Sequence, residues 1–92
     1  MYRPKFSQLE VGQTIWLGAR AGEKRIHCEL QHRNGDGSFS FYVMNGAWFG
    51  TLYRTFFGRL FIVTQRGDEH DVHLVEINPA IRPVLYKAEI PF

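Results

Sequence analysis

The densest run of titratable side chains is Asp68-Glu69-His70-Asp71-Val72-His73. In an extended strand residues two apart share a face, so Asp71 and His73 would stand side by side as an acid–base pair. A polar hairpin turn leading into a strand explains the same residues without chemistry. His70 and His73, three apart, point to opposite faces, and four His with one Cys offer no chelating spacing. Neither a metal nor another cofactor is expected. Cys28 would need an exposed, electropositive setting to act as a nucleophile. Alternation instead groups it with Ile26 and Leu30, where a thiol is inert packing. Asn34-Gly35-Asp36-Gly37 is rich in glycine but joins two strands and opens no helix, so it is not a phosphate loop. These residue types point to binding, not catalysis, and the chain is not expected to be an enzyme.

The residues best suited to binding are aromatic. Eight Phe, four Tyr and two Trp stand in 92 residues. In the registers set by the turns, Tyr42 lies opposite Phe49, Glu29 beside Tyr42, His27 beside Met44, and Ser38 opposite Tyr53. Tyr42, Met44, Phe49 and Tyr53 thus form an outward patch with Arg25 and Arg54 at its edges. Aromatic, Met and Arg side chains are those enriched at the centres of protein interfaces. The expected function is a non-catalytic protein-binding, adaptor or regulatory module using this face. A competing reading buries Phe49 and Tyr53 beneath the C-terminal segment, because a small domain needs its rings for the core.

Nucleic-acid binding is the alternative, with Arg on phosphates and Tyr or Phe stacked on bases. Arg20, Lys24, Arg25 and Arg33 would form its phosphate edge around the first hairpin. A net charge of only +2 and Glu29 within the patch count against it. The charge is uneven, however: residues 1–66 hold nine basic and four acidic side chains, and residues 67–92 hold two and five. A second alternative is a structural subunit of a larger assembly, or a homo-oligomer, with Ile90-Pro91-Phe92 as a docking tail.

Short period-two segments between Gly, Asn and Asp turn signals must position these side chains. Phe6–Gly12 suits one helical turn, with Phe6 and Leu9 facing the core and Gly12 ending it. Strands are expected at 13–18, 25–32, 38–44, 60–65 and 70–77, with a further strand after Asn45-Gly46, which reads as a type I′ turn. Pairing 33 with 38 sets Leu30 opposite Phe41 and Cys28 opposite Val43. The Asn45-Gly46 turn sets Val43 opposite Trp48, Phe41 opposite Gly50 and Phe39 opposite Leu52. The inward rows agree across three strands, and a one-residue slip would destroy the match. Gly50 beneath Phe41 leaves room for the ring or marks a bend. The aromatic-Phe-Gly-x-Leu pattern of residues 48–52 recurs at 56–60 and reads as two similar strand bends.

The fold expected is all-β: one domain over 1–92, a small antiparallel barrel or strongly bent sheet of six or seven short strands, SH3-like or related. Residues 80–92, interrupted by Pro83, would add a closing edge strand or a docking arm. With one Cys there is no internal disulfide, which suits a reducing compartment. No signal-like segment opens the chain and Leu60–Val63 is too short to span a bilayer, so a cytoplasmic protein with no membrane partner is expected.

Overall fold

Six antiparallel strands form a closed barrel in a computed structural model that describes residues 5–19, 22 and 24–78. The strands are β1 (Thr14–Ala19), β2 (Arg25–Arg33), β3 (Phe39–Val43), β4 (Trp48–Arg54), β5 (Leu60–Thr64) and β6 (Glu69–Asn78). Each pairs with its neighbour in sequence, and β6 returns to β1 to close the circle. Closure removes both sheet edges, which leaves no strand side open to a stray pairing. β6 itself makes this closure, through the run from Thr14↔Asn78 to Ala19↔Val72. The expected closing strand at 80–92, and the tail ending in Phe92, lie outside the described residues.

The interior follows from alternation. Ile15, Leu17, Cys28, Leu30, Phe39, Phe41, Val43 and Leu52 are fully enclosed, with Ile62 and Val72 close behind. The pairs Cys28↔Val43, Leu30↔Phe41, Phe41↔Gly50 and Phe39↔Leu52 are those the alternation predicts. At Gly50 a β-carbon would stand 2.8 Å from Phe41 Cζ and 3.0 Å from the Val63 carbonyl oxygen, so the ring occupies the space a side chain would need. Before β1 a 3-10 turn at Phe6–Gln8 crosses one end of the barrel. There Leu9 is buried and Phe6 meets Phe39 edge-on, with centroids 5.8 Å apart.

Two expectations about turns are corrected. Arg33 pairs with Phe39, so residue 33 does not meet 38; Gln31 is an extra residue between Leu30↔Phe41 and His32↔Ser40. This bulge absorbs the one-residue offset, so the register of the inward row survives although the turn is longer. The β3–β4 turn is not type I′. Neither Asn45 nor Gly46 has positive φ; Ala47 takes that role at 54°, its N–H donating to the Val43 carbonyl at 2.7 Å. Asn45 is engaged elsewhere: its Oδ1 accepts from the His27 N–H and its Nδ2 donates to the Arg25 carbonyl, tying the turn to β2.

The β2–β3, β4–β5 and β5–β6 turns share one design. Asn34, Thr55 and Thr64 each donate a backbone N–H to the residue four on, and the preceding glycine has φ between 87° and 97°. This is the three-residue hairpin loop in which the last position is left-handed.

Candidate interaction surfaces

Outward positions on β3–β5 are Ser40 and Tyr42, then Phe49, Thr51 and Tyr53, then Phe61 and Val63. None carries a charge. The rings come in cross-strand pairs: Tyr42 and Phe49 tilt together at 5.0 Å, and Tyr53 stacks on Phe61 at 5.2 Å and 11°. Phe49 is half exposed, while Tyr42, beside Phe49, and Tyr53 and Phe61, beside each other, are partly buried. Phe49 and Tyr53 are four positions apart on β4, which sets the two pairs about 13 Å apart at strand rise. Carboxylates flank the strip on both sides: Glu29 opposite Tyr42 on β2, and Glu69 and Asp71 opposite Val63 and Phe61 on β6.

Of the predicted patch, Tyr42, Phe49 and Tyr53 thus share the outer face, and Met44 is exposed on the turn at its upper end. Arg25 is exposed at that same end of β2. Arg54 does not rim the face. It follows Leu52 with inward parity, and at the strand's end its guanidinium lies over the Phe6 ring, 5.7 Å from the centroid. Phe61 is missing from the predicted patch because its place depends on the β4–β5 register, which the Thr55–Arg59 turn determines.

Of the basic edge expected around the first hairpin, Lys24 and Arg25 stand side by side and exposed, but Arg33 is not with them. Arg25 and Arg33 stand at opposite ends of β2, about 27 Å apart along a strand, and Arg20 lies outside the described residues. Arg33, moved inward by the bulge, lies over Phe39 at 5.0 Å. With Arg54 it lines the barrel's lower mouth, a surface groove of about 690 Å³ bordered also by Lys5, Phe6, Phe57 and Arg59 among others. Among the described residues no acidic one lines it. Beside it on the β4–β5 turn, Phe56 and Phe57 are 92% and 86% exposed and meet edge-on at 5.2 Å. These two rings were legible only as part of a repeated pattern; Gly58 before Arg59 was the available turn signal.

Asp71 and His73 both face outward on β6, as alternation predicts, but among the described residues no ion pair joins them. Asp71 pairs with Arg59 at 3.7 Å on the surface, whereas the His73 ring lies against the bare backbone of Gly18. Cys28 is enclosed, and burial pushes its thiol up to about 12, far from a reactive thiolate. Among the described residues no three His, Cys, Asp or Glu side chains could hold a metal ion. Among them, too, no helix is long and apolar enough to cross a membrane. His27 stacks flat on Trp16 at 4.3 Å, and its buried Nε2 has no hydrogen-bond partner among the described residues.

Comparison of the chain with family models, with curated proteins and with solved structures finds no match to any of them.

Proposed function

We propose that this chain is a non-catalytic protein-binding module that docks through the outer face of β3–β5. One observation carries the reading: a strip three strands wide presents Tyr42, Phe49, Tyr53 and Phe61 with no charge among them and carboxylates on either flank. Water-exposed rings without charge are what an interface core needs, and the charged border supplies orientation. The partner's chemistry follows by complement: apolar side chains within a rim of Lys or Arg. The same carboxylates repel phosphate, which disfavours nucleic acid on this face. A buried thiol with no second cysteine suits a reducing, cytoplasmic setting.

The test uses the immobilised full chain and an extract of the cell that makes it. Wild type is compared with Phe49→Ala/Tyr53→Ala and with Glu29→Lys/Asp71→Lys, and each is melted beforehand. The ring pair should weaken retention of the captured protein by about tenfold or more, and the charge reversal should weaken it less. Both should stay folded at the assay temperature. Retention unchanged by the ring pair, or lost only where the barrel has melted, would overturn the reading.

A further inference from the structure

We propose that the lower mouth of the barrel binds single-stranded nucleic acid, its phosphates held by Lys5, Arg33, Arg54 and Arg59 and its bases stacked on Phe56 and Phe57. Four cations arrive there from four separate parts of the chain: the residue before the 3-10 turn, the ends of β2 and β4, and the β4–β5 turn. Among the described residues no carboxylate pairs with Lys5, Arg33 or Arg54, and the one pair at Arg59 is exposed on both sides. An exposed pair of that kind holds its arginine weakly. Arg33 and Arg54 lie over ring faces, a placement that leaves the N–H edge of each guanidinium for a phosphate.

The rings supply the second half. Burying a phenylalanine stabilises a protein, yet this turn leaves two in water. Edge-on to each other, they present separate faces for stacking. Ring faces beside a positive groove are how small β-barrels hold single strands. An acidic peptide would satisfy the cations and leave both rings uncovered. Nor does the acid-flanked outer face compete, so a strand is confined to the mouth.

Fluorescence anisotropy of the full chain with a labelled oligothymidine of about ten nucleotides tests this between 50 and 200 mM salt. Four phosphate contacts give a log–log slope of about −2.8, or roughly a 50-fold loss of affinity over that range. Arg33→Gln with Arg54→Gln should halve the slope, and Arg59→Gln alone, an exposed change unlinked to the core, should reduce it by about 0.7. Phe56→Ala with Phe57→Ala should weaken binding by about tenfold and leave the slope unchanged. Absence of binding at 50 mM overturns the proposal. So does a slope that survives the loss of these arginines, ring variants that bind as wild type, or a polyglutamate peptide that competes equally well.

Discussion

Residues 48–52 and 56–60 carry the same pattern, Trp-Phe-Gly-Thr-Leu and Phe-Phe-Gly-Arg-Leu, and become opposite things. The first lies within β4. Its glycine is buried against Phe41, its second ring points outward to Tyr42, and its leucine is wholly enclosed. In the second copy the glycine sits in a turn at φ +87° with nothing within 4 Å, and both rings stand in water. One glycine is required for space, the other for conformation. A short motif has no structure of its own; what precedes it decides. Ahead of the first copy, the turn at 44–47 starts a strand, and ahead of the second, Thr55 ends one and closes a loop on Arg59.

Substitution should affect the two glycines in different ways. The largest effect is expected at Gly50→Ala, where the new methyl meets the Phe41 ring and the Val63 carbonyl. Overpacking of this kind costs about 2 kcal/mol, a fall in Tm of roughly 10 °C for a domain this size. Adding Phe41→Leu should recover part of the loss in a thermal melt, since it removes the ring but not the carbonyl. Gly58→Ala meets no atoms and suffers only the left-handed backbone, about 1 kcal/mol. Here Gly58→Asn, not a change in a neighbour, should restore most of the stability. If the neighbour's truncation rescued position 58, or asparagine rescued position 50, the two glycines would not differ as described.

A smaller effect is expected between the turns themselves. The β2–β3 turn repeats the glycine geometry of the β4–β5 turn but is braced by Asp36, which accepts from the Ser38 hydroxyl at 2.6 Å and from its N–H at 2.9 Å. Those bonds, the side-chain one foremost, hold the Asp36 carboxyl below its ordinary value. A carboxyl depressed on folding contributes above its unfolded pKa, and the contribution is lost as pH falls through the folded one. Acid should therefore loosen the 34–38 turn before the 55–59 turn, where Thr55 Oγ1 braces the loop without a titrating group. Amide hydrogen exchange across the acid range would show it, and Asp36→Asn should abolish the difference.

Much of this barrel was legible from alternation. Ile26, Cys28 and Leu30 against Phe39, Phe41 and Val43 leave one workable register, because any odd slip exposes an entire row. The outer face was legible for the same reason, down to Tyr42 beside Phe49. Arg54 was not. Its parity places it inward, but whether the strand's last residue meets core or open mouth depends on where the barrel ends. Arg33 was hidden by the bulge at Gln31, which no local pattern announces. Asn45-Gly46 misled because the side chain that suits a type I′ turn was drawn away to β2 by a contact 18 residues distant.

Residue order alone determined which side chains share a face and which strands are neighbours, since side-chain alternation and short turns act over a few residues. Closure of β6 on β1 and the travel of Arg33 and Arg54 to a common mouth were decided only in three dimensions. So was the charge border around the aromatic strip, which joins Glu29 of β2 with Glu69 and Asp71 of β6 across three intervening strands. Such neighbours are far apart along the chain, and only the curvature that shuts the sheet brings them to one surface.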